Sequence, residues 1–485
     1  MDGGPRKSIY HKLILSRKES IAYVMPAEEE VVTKDLRSFL DFLRQEHPEE
    51  ILEIKNQVDL EYDMTTYVME LERQGKFPLL FFHDVKGYPY PVVVNTFASR
   101  RRIGYGIGLE EKDLIVGWKA RSAERIPPEI VEYGPVKEII KLGKEIDLND
   151  YPIPVHFEID GGRYITGGVA IAKDPDTGVG NLNFTRLQIH GPQTLGASLH
   201  SRGDLWDFAR RQKEKGEPLE IAIAIGVHPA ISVAGATNLP ITEDEMALAG
   251  ALMDKRVPVV QAETVDLLVP AQAEMIIEGQ ILPNTFEDEG PLGEYTGYAS
   301  SRSTRNVLQV TAITHRKDMI YQDIIPGASA EHLNLSKVSR IPRTFDAVKA
   351  VFPNVVDINY PMSGTHFHCY VSLNQTIEGQ ARQVMMLIFG LDSYIKHIIV
   401  VDSDVDVYDE KQVLWALATR FQADRDLIVV SDLPANLLDP SMEGKVGAKM
   451  GLDATMSLES PAVPIQISQE SIHKVRKQLK DLGLE

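Results

Sequence analysis

Two hydrophobic periods divide this chain. Between Asp35 and His47, Leu36, Phe39, Leu40 and Leu43 recur at i, i+3, i+4 and i+7, the stripe of an amphipathic helix that Pro48 ends. Ile51–Ile54, Pro78–Phe82 and Pro91–Asn95 read as short strands, with a helix from about Tyr67 to Gln74 closed by Gly75. Strands alternating with helices predict an α/β domain. Residues 1–32 are mixed and polar, an arm packing on the body or on another subunit. Gly104, Gly106 and Gly108 lack a clean strand-to-helix setting and predict a flexible connection. The run Arg100-Arg101-Arg102, beside Val92–Val94, reads as a solvated strand end.

A Pro-rich, charged stretch from Ile126 to Pro154 marks a domain boundary and encloses a short amphipathic helix near Val136 to Leu142. Beyond it the period shortens to two. Alternation through Ile221–Val227, the β-rich run Val307–Thr314 and the pairs Gly161-Gly162 and Gly167-Gly168 predict a strand-dominated domain over 150–325, interrupted by helices at Asp204–Lys215 and about Thr242–Asp254. From Leu333 onward helices and strands mix again, with strands at Tyr370–Leu373 and Ile398–Val401 and a helix at Gln412–Arg420.

Composition narrows the class. A chain of 485 residues exceeds one ordinary core and suggests two to four domains. With 43% hydrophobic and 25% charged residues it is globular, and a net charge of −19 argues against nucleic acid or an anionic membrane surface as partner. The single cysteine, Cys369, excludes an intrachain disulfide and a cysteine metal knuckle and fits a cytoplasmic location. No export signal and no apolar run of about 18 residues is legible, so no membrane span is expected.

The densest candidate chemistry lies in Glu289-Gly-Pro-Leu-Gly-Glu294-Tyr-Thr-Gly-Tyr298. Proline and glycines stiffen the backbone between two acids, so both carboxyl groups can face one site. Paired carboxyls in an apolar pocket split their proton affinities, which equips one as a proton donor; the competing reading is a solvated turn that carries acids. Asn181–His190 alternates, with Asn181, Asn183 and Thr185 on one face of a strand and Leu182, Phe184 and Arg186 on the other. An arginine inside such a strand calls for an anion, a ligand or a structural acid. Glu245 opens an apolar helix, where it either complements the helix dipole or joins Asn181 as a hard-oxygen ligand of a divalent cation that holds a phosphate. His366-Phe367-His368 sets two imidazoles on one face of a strand, as metal ligands or as hydrogen-bonded core groups.

These stretches together resemble the UbiD-like decarboxylases. The resemblance is carried by Lys86-Gly-Tyr88 with Pro91–Asn95, Asp160-Gly-Gly-Arg-Tyr-Ile-Thr-Gly-Gly168, Lys173-Asp-Pro-Asp-Thr-Gly178, Asn181–Arg186, Ser201-Arg202-Gly203, the Glu289–Tyr298 loop, Val413–Arg420 and Lys449–Thr455, in order from about residue 75 to 455. It implies an α/β fold in three parts: an N-terminal arm and α/β domain over 1–125, a flavin-reductase-like split β-barrel over 126–325, and a C-terminal α/β oligomerisation domain over 326–485. It also implies a reversible, non-oxidative carboxy-lyase that uses prenylated FMN.

Carried over position by position, Asn181 and Glu245 match ligands of a manganese-type ion that bridges to the cofactor phosphate, with potassium a further candidate ion. Phe184, Thr185, Arg186, Ala197, Ser198, Leu199, Arg202, Gly203 and Lys396 match cofactor-lining positions. Arg186, Glu289 and Glu294 match the catalytic constellation: Arg186 orients the carboxylate, Glu294 donates the proton and Glu289 supports both. Some members add a histidine ligand near the place of Gly203 or Asp204, whereas this chain has a histidine only at His200, so members with the Asn and Glu ligands alone are the closer pattern. Tyr295 and His332 fall where the family lines its substrate pocket, which suggests an aromatic substrate with a polar substituent. The expected partners are an aromatic, heteroaromatic or α,β-unsaturated acid, CO2, a flavin prenyltransferase that supplies the cofactor, and further copies of the chain in a homodimer or homohexamer. The alternatives are a carboxylase working in the reverse direction, a non-catalytic subunit of a carboxylase complex, and a glycosidase-like hydrolase using Glu289 and Glu294.

Overall fold

The first helix forms over Leu36–Glu46, started by a reciprocal cap between Asp35 and Ser38. Its stripe Leu36, Phe39, Leu40 and Leu43 packs on Leu79, Phe81 and Val93. The alternate residues Leu80, Phe82, Val92 and Val94 face the other way, into a core shared with the centre of the molecule. Burial on both faces explains why these strands read as unbroken apolar runs. The computed structural model describes residues 34–199, 203–460 and 462–484 except 463, 464 and 466; the N-terminal arm and Arg202 lie outside the described residues.

The N-terminal sheet orders Ile51–Ile54, Leu79–Phe82 and Val92–Val94, and is completed by Tyr321–Gln322, which returns from beyond the central domain to pair in parallel with Val92–Val94. Two expectations fail here. The Gly104–Gly108 stretch is no flexible connection: Arg100–Gly106 is a helix capped by Ser99. Its glycines serve contact instead, since a Cβ on Gly104 would lie 2.4 Å from the Leu109 carbonyl oxygen and one on Gly106 2.7 Å from Pro229. Nor is the arginine run solvated throughout. Arg102 is 1% exposed, pairs with Glu50 at 2.5 Å and donates to the carbonyls of Thr96, Phe77 and Asn95.

Among the described residues the central sheet has nine strands. Along its main path run Tyr164–Ile165, Arg186–Gly191, Thr194–Ser198, Asn306–His315, Met275–Phe286, Leu219–Ile225, Val169–Lys173 and Gly180–Phe184. Ile139–Leu142 pairs with Asn306–His315 off that path. The expected helix over Val136–Leu142 is thus a single 3₁₀ turn, Pro135–Lys137, followed by that strand, as β-branched Ile139 and Ile140 favour.

The expected single strand through Asn181–His190 is two strands, separated only by Thr185 yet holding the eighth and second places of the path. Six strand spacings would span about 29 Å in a flat sheet, whereas two residues reach about 7 Å at most. The sheet therefore curls until its ends meet at Thr185, giving the split barrel that the resemblance implies. The helix Asp204–Lys215 and the helix Glu245–Met253, buried from Glu245 to Leu252, pack against this barrel.

The C-terminal sheet orders Val355–Asn359, His368–Leu373, His397–Asp402, Val446–Ala454 and Leu427–Pro434. Ile398 and Val400 face the helices Arg340–Val351 and Gln380–Leu391, while Ile399 and Val401 face Glu410–Arg420. Helices on both faces match the continuous apolar strand there. Among the described residues, no helix is long and apolar enough to cross a membrane.

Arg102 supplies a test of this packing. Arg102→Met leaves the largely buried Glu50 carboxylate with only the 3.5 Å contact to Arg101 and takes the donor from the carbonyls of Glu50, Thr96, Phe77 and Asn95, and we expect a loss of about 3–5 kcal/mol in denaturant unfolding. Arg101→Met, whose side chain is 50% exposed, is expected to stay within about 1 kcal/mol. Equal, small effects would show that the buried pair does not hold the helix in place.

Candidate active site

Arg186 is the first residue after the Thr185 seam and takes both acids of the 289–298 loop. Its Nη2 donates to Glu289 Oε2 at 3.0 Å, its Nε lies 2.9 Å from Glu289 Oε1, and its Nη1 donates to Glu294 Oε1. Nη2 also donates to the Arg302 carbonyl at 2.7 Å. All three side chains are withdrawn from solvent, Glu289 completely. Two carboxylates thus share one guanidinium in a dry place, with Arg302 acting on Glu294 from further off. Burial, helped by the neighbouring Glu289 and opposed by Arg186, raises Glu294 above the ordinary carboxyl range. The arrangement is that of an acid able to hold a proton beside an anion-orienting cation.

The loop bearing these acids is clamped from the barrel. Gln188, two residues beyond Arg186 on the same strand, accepts from Gly290 N at 2.9 Å and donates to the Gly161 carbonyl at 2.8 Å. Asp160 accepts from Gly293 N at 2.9 Å and from Phe157 N at 2.9 Å. Gly161 must be glycine, because a Cβ there would lie 2.3 Å from the Gly290 oxygen. The roles of Gln188 and of Asp160, which the sequence shows only as the start of the Asp160–Gly168 motif, escape a reading of the sequence, since each bonds a residue more than 100 positions away. The one available signal is the i, i+2 spacing of Arg186 and Gln188.

A second cluster lies at the other end of the strand Gly180–Phe184. The Asn181 amide nitrogen is 3.3 Å from Glu245 Oε2 and 3.4 Å from Asp204 Oδ2, and Glu245 Oε2 also accepts from Leu182 N at 3.0 Å. Burial pushes the Glu245 carboxyl up to about 8, with Asp244 and Asp204 adding to it. The Asn181 Oδ1 is buried with no partner. Among the described residues no three His, Cys, Asp or Glu side chains converge on a metal-sized point; this cluster is two carboxylates and an amide.

Between the two clusters lie the other seam residues. Ser198 pairs in register with Arg186, Thr185 Oγ1 donates to the Ser198 carbonyl at 3.1 Å, Ala197 pairs with Leu187, and Leu199 N donates to Thr304 Oγ1 at 2.8 Å. Phe184 packs on the adjoining core, and Gly203 caps the helix Asp204–Lys215. Lys396 stands apart, in a cavity of about 420 Å³ of the C-terminal domain, bonded to Asp439 at 2.8 Å and Ser441 at 2.6 Å.

Tyr295 directly follows Glu294 and sits in an aromatic group. Its ring centre is 4.4 Å from that of His366, 6.3 Å from His332 and 5.9 Å from Phe367. Tyr295 Oη and His366 Nδ1 are both buried without a partner. Burial drives the His366 imidazole well below its usual value and lowers His332, so both rings are neutral. The expected pairing of His366 with His368 on one strand face does not occur. His366 lies in the turn before the strand and bonds Ser336 at 2.9 Å, whereas the His368 ring stands 5.0 Å from His397.

Three sequence models of one enzyme match successive parts of the chain. They describe 3-octaprenyl-4-hydroxybenzoate carboxy-lyase: its N-terminal domain over residues 43–120, its Rift-related domain over 129–329 and its C-terminal domain over 335–454. The chain belongs to the UbiD family. It is a carboxy-lyase of the UbiD type. Among solved UbiD-class structures, HmfF from Pelotomaculum thermopropionicum in complex with FMN is similar at 37% identity and a TM-score of 0.86, over 91% of this chain and 98% of that one. An evolved dimeric form of HmfF in complex with prFMN is similar at 35% identity and a TM-score of 0.81, over 90% and 100%. Vanillic acid decarboxylase of Sedimentibacter hydroxybenzoicus, in open form with truncated ShVdcD, is similar at 28% identity and a TM-score of 0.83, over 93% and 100%. UbiD membership sets aside the glycosidase-like reading of the two glutamates.

Gln188→Leu removes the hydrogen bonds to Gly290 N and to the Gly161 carbonyl while leaving Arg186, both glutamates and the Asp160–Gly293 bond in the chain. We expect kcat to fall about 10–100-fold, with the bound flavin absorbance unchanged. Wild-type kcat in this variant would mean the loop keeps its geometry without Gln188.

Proposed function

We propose that the protein is a prenylated-FMN-dependent, reversible, non-oxidative decarboxylase of an aromatic, heteroaromatic or α,β-unsaturated acid. The observation that carries this reading is Arg186 held between Glu289 and Glu294 at the barrel seam, on the strand path that leads to the Asn181–Glu245 cluster. The flavin complexes of HmfF, the similar structures above, support it.

The residues present fit the cofactor. Asn181 and Glu245 offer oxygen donors, one of them orphaned and buried, which suit a hard manganese-type cation bound to the flavin phosphate. Phe184, Thr185, Arg186, Ala197, Ser198, Leu199 and Gly203 would line the flavin, with Arg202 assigned by resemblance. Lys396 would contribute only after leaving Asp439 and Ser441. When bound, prenylated flavin supplies the electron sink for the pair left behind as CO2 departs.

Arg186 draws the substrate carboxylate by charge and directs it with its planar donors. Glu289 pins the guanidinium through two contacts and so fixes its plane. Glu294 meets Arg186 through Oε1, which leaves the proton on Oε2 for delivery to the carbon that loses CO2. In the reverse direction the same Oε2 takes the proton back. Tyr295, His332 and His366 offer neutral polar groups among rings, suited to a substrate ring with a hydrogen-bonding substituent. A flavin prenyltransferase would supply the cofactor, and the chain would self-associate as a dimer or hexamer; the dimeric state of an evolved form of HmfF supports self-association as such.

Glu294→Gln tests the assignment of the acid. We expect decarboxylation to fall by at least about 100-fold while the flavin spectrum is retained; near-full activity would remove Glu294 from the mechanism. The donor is the protonated form and burial raises its pKa, so the rate should be flat at low pH and decline only above the usual carboxyl range. A kcat that rises through that range would reverse the assignment and make Glu294 a base.

A further inference from the structure

We infer that Asp204 is a third protein ligand of the divalent cation, completing with Asn181 and Glu245 a set of three oxygen donors; this rests on the cofactor site proposed above. Asp204 Oδ2 lies 3.4 Å and Glu245 Oε2 3.3 Å from the same terminal atom of Asn181. The Asn181 side chain is 6% exposed and points its amide between the two carboxylates, while its oxygen has no partner.

The ends of an amide are exchanged by a half-turn about one bond. The half-turn gives up only two long contacts and puts Oδ1 where Nδ2 stands, 3.3 and 3.4 Å from the two carboxylate oxygens. That is the spacing of neighbouring oxygens around one cation with bonds of about 2.1–2.4 Å. Two carboxylates then balance a divalent charge and the amide oxygen adds a neutral third bond. A six-coordinate ion keeps about three positions for phosphate and water.

The placement of Asp204 is built into the fold. It is the first residue of the helix Asp204–Lys215, and Arg211 on that helix bonds Asp174 at 2.8 Å and Asp176 at 2.5 Å, in the turn that leads into the Asn181 strand. Lys215 adds a bond to Asp176 at 2.7 Å. The helix end is thereby fixed against Asn181. Arg211 is engaged with Asp174, Asp176 and Asp207, and among the described residues neither Asp204 nor Glu245 has an ion pair. The two acids converge on the amide with no cation of the described chain between them.

Mn2+ titrated into flavin-free protein, followed by loss of the free-ion EPR signal, tests this without turnover. Wild type should bind one ion; Asp204→Asn and Glu245→Gln should each weaken binding at least about tenfold; Glu214→Gln, on the exposed face of the same helix, should not. Circular dichroism melts of all variants separate lost ligation from lost folding, and Asp204→Glu, which keeps the carboxylate, should recover part of the affinity. If Asp204→Asn binds as wild type while Glu245→Gln does not, the third ligand is wrong and the Asn181–Glu245 site stands. Wild-type protein that takes up no Mn2+ would overturn both.

Discussion

The single residue between the strands Gly180–Phe184 and Arg186–Gly191 constrains everything that follows. Covalent continuity through Thr185 forces the eighth and second strands of an eight-strand path together, so the sheet cannot lie flat. Closure in turn places the Asn181 cluster and the Arg186 cluster five residues apart along one stretch of backbone, about 16 Å if extended. A long ligand can lie along the seam with one end at the oxygen donors and the other at the guanidinium. Neither end needs a separate device to find the other.

The acid end is where charge is concentrated and where the structure invests in restraint. A buried guanidinium is costly unless it is paired, and Arg186 meets Glu289, Glu294 and the Arg302 carbonyl. Burial, with the Glu289 charge beside it, raises the proton affinity of Glu294 above that of an ordinary carboxyl group. Gln188 and Asp160 fix the connecting backbone at Gly290 and Gly293, so the geometry belongs to the barrel rather than to a free loop. The pocket beyond Glu294 is contributed by other elements, His332 from the helix Ala330–Lys337 and His366 from the turn before His368. It forms only where the barrel meets the C-terminal domain.

Much of this was legible in local pattern. The stripe of Leu36–Glu46, the helix Asp204–Lys215 with Gly216 closing it, and the strands around Val307 and Ile398 follow from periods of 3.6 and 2 that any chain with one buried face must show. The acid loop, Arg186, and the pair Asn181 and Glu245 stand out because their residue types carry chemistry in themselves. Failures fell where a partner distant in sequence overrode the local signal. Arg102 reads as solvated until the Glu50 carboxylate and four carbonyls enclose it, and Gly104 and Gly106 read as flexible until Leu109 and Pro229 press on them.

The sequence by itself thus determined the inventory: the elements, the apolar faces, and the charged groups available for a site. Tertiary structure decided the pairings, namely which strand ends meet at Thr185, which glutamine holds Gly290, and which carboxylate joins Asn181. The physical reason is range. Periodicity and capping are set by neighbours within a few residues, whereas Gln188 with Gly290 and Asp160 with Gly293 are separated by 102 and 133 positions. Such contacts exist only once the barrel has closed.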